Sequence, residues 1–446
     1  MRCSRLSCLC IGIEQARLAT LIFKHIREGS LSTIGQPELL KAINRSHAFE
    51  ALKRSRVISR TELAKQTQLS RATISLLADD LLESKLAEEV GHRDSTGGRP
   101  AMMLRFNPEA AYSLGALMYD RKWVIVLTDL DAKVIHRTEV SIGDDTPQTA
   151  VAMLKLGVDA LVNQNGRQQI LSAIGVGTPG LVDMRTGVIQ NAVDMGWFEV
   201  PFKAMVEEAL SIQTFVANRS KVGALAELWH GTSANRNNIV YISIGTGVAA
   251  GIVEKGELYI GSNSSAGELG HMTVLPDGPL CRCGNRGCLQ QLVSGPAIVN
   301  MTRERLRRDD TSLLNAMLAN SPERLTVQMI FQAAEQGDPL AAGVVGDAAT
   351  YLGIAIANLI NLLNPDQIIL GGPVGQVGGV LLKPIREEVQ RRAMVYPLSV
   401  ATIRTSTLGP DAGAIGASVL VLQRTCDLMF PRSIRSRSTP QIKRNS

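Results

Sequence analysis

The sequence predicts an α/β protein in which a small winged helix-turn-helix unit precedes a larger α/β body. Three observations predict it. Two helical stretches are separated by a tight turn and followed by a pair of alternating stretches. Apolar strand-like runs repeatedly end in glycine turns, and one histidine with three cysteines is crowded into eighteen residues. At 446 residues with 45% hydrophobic content the chain is too long for one ordinary domain and apolar enough for two or three cores.

Residues 1–36 show no periodicity beyond a weakly helical Leu18 to Ile26 stretch, and this extension is assigned no role. The run from Cys8 to Ile13 is too short and poorly flanked for a signal peptide, and no apolar run reaches the roughly 18 residues of a membrane span. The expected location is therefore cytoplasmic, with no membrane partner.

Residues 37–107 read as three short helices and a hairpin. Thr61 to Thr67 forms a short helix, Gln68-Leu69 turns, and a second helix runs from Ser70 to about Ser84. Ser70 suits the N-cap, and Ile74, Leu77 and Leu81 recur at helical spacing as its buried stripe. Arg71, Ala72 and Ser75 then face outward in the turns that enter a major groove. Leu86 to Val90 and Met102 to Phe106 alternate as two strands around a Gly91 to Pro100 loop, the wing, which places Arg99 to reach phosphate or a narrow minor groove. The other reading of the helix pair, two packed core helices, does not account for the wing.

Charge points the same way. Residues 1–106 hold 17 Lys and Arg against 11 Asp and Glu, and residues 424–446 hold 6 against 1. Of the net +6, this leaves the middle about five negative. A basic front on an acidic body fits a separate polyanion-binding module, for which operator DNA is the expected partner.

The body, residues 108–423, begins its strand-rich region at Val124 to Leu127. Gly175-Val-Gly-Thr-Pro-Gly180, Gly245-Thr-Gly247 and Gly371-Gly372 each follow an apolar strand, and Gly409 to Gly416 opens the last apolar helix. Singly, such turns only say that the backbone changes direction. His271, Cys281, Cys283 and Cys288, the knuckle of residues 271–288, say more. One imidazole and three thiolates make a closed tetrahedral set for a structural Zn²⁺, with no fourth position for a reactive water. Cys3, Cys8, Cys10 and Cys426 are scattered and form no site. The tail from residue 424 to 446, rich in Arg, Ser and Pro, reads as disordered.

Taken together, Gly175 to Gly180, Gly245 to Gly247, Ala266-Gly-Glu-Leu-Gly-His271 and Cys281 to Cys288 resemble the ROK family of repressors and sugar kinases, specifically its repressor branch, over roughly residues 40–423. The resemblance implies an actin-like, ribonuclease H-like body of two α/β lobes with a sugar cleft between them, assembled as a homodimer or homotetramer. Family kinases carry an Asp-x-Gly-Gly-Thr turn for ATP phosphate, where this chain has Gly115 to Arg121, and an Asn-Asp pair whose Asp is the base, where it has Asn218-Arg219. A guanidinium is no base near neutral pH, and losing a general base typically costs roughly 10²–10⁴ in rate.

No catalytic residue is therefore expected, and the chain is expected to be a sugar- or sugar-phosphate-responsive repressor; the alternative is an ATP-dependent sugar kinase that carries a DNA-binding domain. A third reading keeps the DNA-binding unit but gives the body only a docking role. The resemblance places Asp194, Asn218, Glu268, His271 and Gln290 at the ligand, with His271 also on zinc. Arg219 either adds a positive charge that suits a phosphorylated or carboxylated sugar, or pairs with Asp194 or Glu268.

Overall fold

A computed structural model describes residues 36–93, 101–164, 169–230, 237–308, 311–318, 321–376 and 379–429. The chain divides into two compact units, one ending at Asn107 and the other covering Pro108–Leu428.

The first unit holds helices Gln36–Ser55, Arg60–Thr67 and Arg71–Glu83, and strands β1 (Val57–Ser59), β2 (Ala87–Arg93) and β3 (Ala101–Phe106), arranged antiparallel in the order β1-β3-β2. Ser59 caps the second helix in a reciprocal box with Glu62, and Gln68 ends it in the left-handed region at φ 57°. Ser70 then accepts from Thr73 N at 3.1 Å and starts the third helix. Its Ile74, Leu77 and Leu81 are buried as expected, with Ala78. Arg45 on the first helix donates to Asp80 on the third at 2.7 Å. Two features differ from the expectation. The first helix is 20 residues long rather than short, and β1 adds a strand too brief to leave an alternating pattern.

The second unit contains two five-stranded sheets. In the first, β4 (Tyr112–Tyr119), β5 (Lys122–Thr128) and β6 (Val134–Ser141) form an antiparallel meander, and β7 (Ile170–Thr178) and β11 (Gln213–Asn218) add parallel to β4, giving β11-β7-β4-β5-β6. Between β7 and β11 lies a small sheet of β8 (Leu181–Asp183), β9 (Val188–Ala192) and β10 (Trp197–Val200). The second large sheet repeats the plan: β12 (Ile239–Ile244), β13 (Val248–Glu254) and β14 (Glu257–Tyr259) make the meander, and β15 (Gln367–Gly371) and β16 (Thr402–Thr405) lie parallel to β12.

Each sheet has its own core. Trp123, Trp197 and Phe202 stack in the first, with centroids 5.6 Å apart for Trp197 and Phe202. The second is built around the Pro339–Leu363 helix, whose Val344, Ala348, Leu352 and Ile356 are buried. By length and composition that helix is apolar enough to cross a membrane, although no run of such length is expected from the sequence; 61% of its apolar window is buried inside the unit. Helices Arg219–His230 and Ala412–Leu422 pack on each other. The first reaches the second sheet through Ser220 Oγ, which donates to Ala250 O at 3.1 Å. Buried Glu227 accepts from Arg404 of β16 at 2.8 Å and from Ser406.

Three further expectations are corrected. The strand-rich region starts at Tyr112, not Val124. Gly175 and Gly177 lie within β7 rather than in a turn: a Cβ on Gly175 would sit 1.8 Å from Ala417 O, so the glycine lets the last helix approach the sheet. Gly180, at φ 84°, makes the turn. The segment read as a disordered tail begins with a helix, Thr425–Met429; residues 430–446 lie outside the described residues, as do residues 1–35, which include Leu18 to Ile26 and three scattered cysteines.

The helix contact is close packing of backbone on backbone. A Cβ on Gly416 would lie 1.7 Å from Val222 O, a backbone atom that cannot step aside. Gly416→Val is expected to destabilise the second unit by about 3 kcal/mol or more. All three tryptophans, Trp123, Trp197 and Trp229, lie in that unit, so urea unfolding followed by their fluorescence reports it directly; an unchanged midpoint would contradict the close contact.

Candidate functional site

The carboxyl ends of β7 and β11 place Thr178 and Asn218 side by side, and the Gly245 to Gly247 turn and the Ala266 to His271 segment belong to the second sheet's side of the unit. In open α/β sheets ligands enter at such strand ends. Asn218 is buried at 8% exposure; its Nδ2 donates to Gly180 O at 2.6 Å, and its Oδ1 accepts from Ser220 N at 2.9 Å and Ser220 Oγ at 2.7 Å. It therefore caps the Arg219–His230 helix, and its second amide hydrogen has no partner among the described residues.

Arg219 opens that helix. Its guanidinium stands over the Tyr119 ring, 5.7 Å from the centroid, and among the described residues no carboxylate comes within ion-pair distance. Asp194 pairs instead with Arg282 at 3.2 Å, so neither pairing foreseen for Arg219 forms. Burial pulls the Arg219 pKa below its ordinary value, with Tyr119 and Asp194 opposing the shift.

Lys221, 2% exposed, donates to Ala266 O at 2.9 Å. Burial lowers its pKa, and the nearby Glu268 carboxylate opposes the shift. Half-buried Glu268 is displaced upward by burial, with Lys221 and His271 opposing. Among the described residues, Thr178 Oγ1 and Asn191 Oδ1 are buried without a partner, and Asn191 pairs in register with Leu181, next to Gly180. A cavity of about 220 Å³ lies alongside, lined by Tyr119, Asp120, Gly245, Thr246, Pro373 and Val374.

A 3-10 turn, Leu269–His271, with Glu268 at its start, joins this cleft to the cysteines. Met272 to Leu275 pair back on Gly287 to Leu289. The four candidate ligand atoms lie within 4.8 Å of one another, with Cys283 Sγ 3.7 Å from Cys288 Sγ and Cys281 Sγ 3.8 Å from His271 Nδ1. A tetrahedron with metal–sulfur bonds of about 2.3 Å has edges of about 3.8 Å, so the set fits one metal ion. Burial alone would raise the Cys281 thiol, but hydrogen bonds from Cys283, Gln291 and Cys288 bring it down to about 7. Burial, with Cys283 and Cys281 beside it, pushes Cys288 up to about 12. The crowded thiols thus favour a thiolate at Cys281.

Of the residues expected at a ligand, Asn218, Arg219, Glu268 and His271 gather around the cleft. Gln290 turns its amide toward Cys281 Sγ at 3.7 Å, beside Gln291 at 3.6 Å, and Asp194 is exposed and held by Arg282. Sequence reasoning missed Lys221, Tyr119 and Arg282. The available signal was Lys221 itself, a lone cation in the apolar run to Leu228. In the first unit Arg71 and Ala72 are exposed, whereas Ser75 is half-buried and accepts from Arg60 at 3.3 Å. Arg99 and the rest of the loop expected to form a wing, residues 94–100, lie outside the described residues.

The chain is similar to the xylose repressor of Bacillus spizizenii, 29% identical over 89% of this chain and 99% of that protein. It is also similar to a glucokinase of Halalkalibacterium halodurans, 41% identical over 57% of this chain and 77% of the kinase. A crystal structure of a ROK family transcriptional regulator, a homologue of the Escherichia coli Mlc protein, superposes with a TM-score of 0.77 at 28% identity, covering 87% of this chain and 98% of that one. The ROK family pattern matches residues 120–424, and with two thirds of its length in that match the chain belongs to the ROK family and carries its actin-like fold.

Proposed function

We propose that this protein is a sugar-responsive, DNA-binding transcriptional repressor without kinase activity. The observation that carries the reading is the reach of the likeness to repressors: it extends over 89% of the chain, and so includes the first unit, whereas the likeness to the glucokinase covers 57%. That first unit is read as a winged helix-turn-helix, whose Arg71–Glu83 helix offers Arg71 and Ala72 to a major groove, with Ser75 in support of Arg60 and Arg99 on the wing.

In the body, Glu268, His271 and the remaining Asn218 amide hydrogen suit sugar hydroxyls. His271, Cys281, Cys283 and Cys288 would hold a structural zinc, with Gln290 and Gln291 donating to Cys281. Because the Glu268 to His271 turn joins both sites, ligand and metal share one element. A homodimer or homotetramer is the expected assembly; exposed Met394, Val395 and Tyr396 offer an apolar face for it. The partners are operator DNA, a sugar or sugar phosphate, and a second copy, with no membrane.

Kinase chemistry lacks its parts. The hairpin between β4 and β5 turns at Asp120 and Arg121, at φ 47° and 55°, without the glycines whose N–H groups cradle phosphate. Asp120 adds a negative charge to the cavity beside Gly245 and Thr246. The 41% identity to the glucokinase favours the opposite reading, a sugar kinase carrying a DNA-binding unit.

Three outcomes are expected. In a coupled assay with ATP and a panel of hexoses and pentoses the protein shows no turnover above background, and robust turnover would establish the kinase reading instead. In a gel-shift titration on operator DNA, one sugar or sugar phosphate of the panel changes affinity, and Arg71→Ala weakens specific binding by about 1–3 kcal/mol; unchanged affinity in the variant removes that helix from the DNA. Protein purified under reducing conditions without chelator contains about one zinc per chain. Cys281→Ser loses it, with on the order of 3 kcal/mol of the second unit's stability; wild-type protein without zinc would refute the metal assignment.

A further inference from the structure

We propose that Arg219 makes the cleft selective for an anionic sugar, one whose phosphate or carboxylate oxygens pair with its guanidinium. This deepens the sugar-sensing reading and rests on it.

The argument is a charge inventory of the cleft. Two cations, Arg219 and Lys221, start the Arg219–His230 helix. Lys221 is committed: its ammonium donates to Ala266 O, and the negative charge of Glu268 favours its protonated form. Of the acidic groups near Arg219, Asp194 is drawn to Arg282 and Asp120 is exposed on the β4–β5 turn. Arg219 is left with the face of Tyr119. An aromatic face attracts a cation but carries no net charge and accepts none of its five N–H donors in the plane of the fork. A half-buried guanidinium in that state is short of both a counter-charge and acceptors, and a planar oxyanion supplies the two together in bidentate geometry.

The position adds to the argument. Arg219 follows Asn218, whose second amide hydrogen has no partner among the described residues, so adjacent residues offer a neutral donor and a cation. A nucleotide phosphate fits less well, because Asp120 lines the cavity next to Gly245 and Thr246.

The test is calorimetric titration of the full chain with glucose, glucose 6-phosphate, glucuronate, N-acetylglucosamine, N-acetylglucosamine 6-phosphate, inorganic phosphate and ATP. At least one anionic sugar is expected to bind at least tenfold tighter than its neutral parent. Arg219→Gln is expected to erase that ratio while changing the affinity for the parent less than threefold, and Arg219→Lys to restore part of it. The phosphate and uronate arms identify which anion is taken. Neutral sugars binding as tightly as their anionic forms, or a ratio that survives Arg219→Gln, overturns the inference and leaves sugar sensing intact. Binding of ATP or inorganic phosphate alone, lost in Arg219→Gln, assigns Arg219 to a different ligand and overturns it too. No binding by any sugar overturns the sensing reading and the inference with it.

Discussion

The close crossing of the Arg219–His230 and Ala412–Leu422 helices is the contact on which the body depends. Backbone meets backbone there at Gly416 and Val222, so the spacing is set by hard contact rather than by adjustable side chains. The first helix is buried from Ser220 to Glu227 and touches both sheets. Its position therefore fixes where Asn218, Arg219 and Lys221 point. The buried Glu227–Arg404 pair holds the far end of the same helix to β16. Such a pair adds little net stability, but removing one partner would leave an uncompensated charge, which makes it a strong specifier of position.

The polar groups near the cleft follow a different logic from the core. Lys221, Glu268 and Arg219 are all displaced from their ordinary pKa values first by burial; Lys221 and Glu268 oppose each other's shift, whereas Arg219 is opposed by Tyr119 and by Asp194, which is itself paired with Arg282. Groups carrying an unmet desolvation cost cluster at functional sites. The candidate metal-ligand set, by contrast, brings its four ligand atoms within 4.8 Å of one another, on a chain path held by hydrogen bonds from Val274 N and Leu275 N to Gly287 O and by the close approach of Gly270 to Val248 of β13.

Some of this was legible in the sequence and some was not. The Arg60–Thr67 and Arg71–Glu83 helices carry their signals locally, in Ser59, Gln68 and Ser70, and the cysteine spacing is a chemical signature that needs no fold. The start of the first sheet was missed because β4, Tyr-Ser-Leu-Gly-Ala-Leu-Met-Tyr, contains no β-branched residue, while β5 carries Val124, Ile125 and Val126. The shared strand order of the two sheets was invisible, because pairings such as β12 with β15 span more than a hundred residues and leave no repeat. Gly175 and Gly177 were taken for a turn because a strand glycine that admits a neighbouring helix looks the same in sequence as one that bends the chain. Lys221 was overlooked because a lysine is ordinarily a surface residue, and nothing local announces that this one is buried.

Asn218 spends its carbonyl and one amide hydrogen on folding, on Ser220 and Gly180. Its neighbour has no such duty: Arg219 makes no hydrogen bond among the described residues, and its contact is with a ring. The pair thus divides architecture from chemistry between adjacent positions. Residue 218 is constrained by helix initiation whatever the cleft contains, while residue 219 is free to vary in charge without unsettling the scaffold. A change of charge at residue 219 would alter the electrostatics of the cleft while leaving in place the hydrogen bonds by which Asn218 starts the helix.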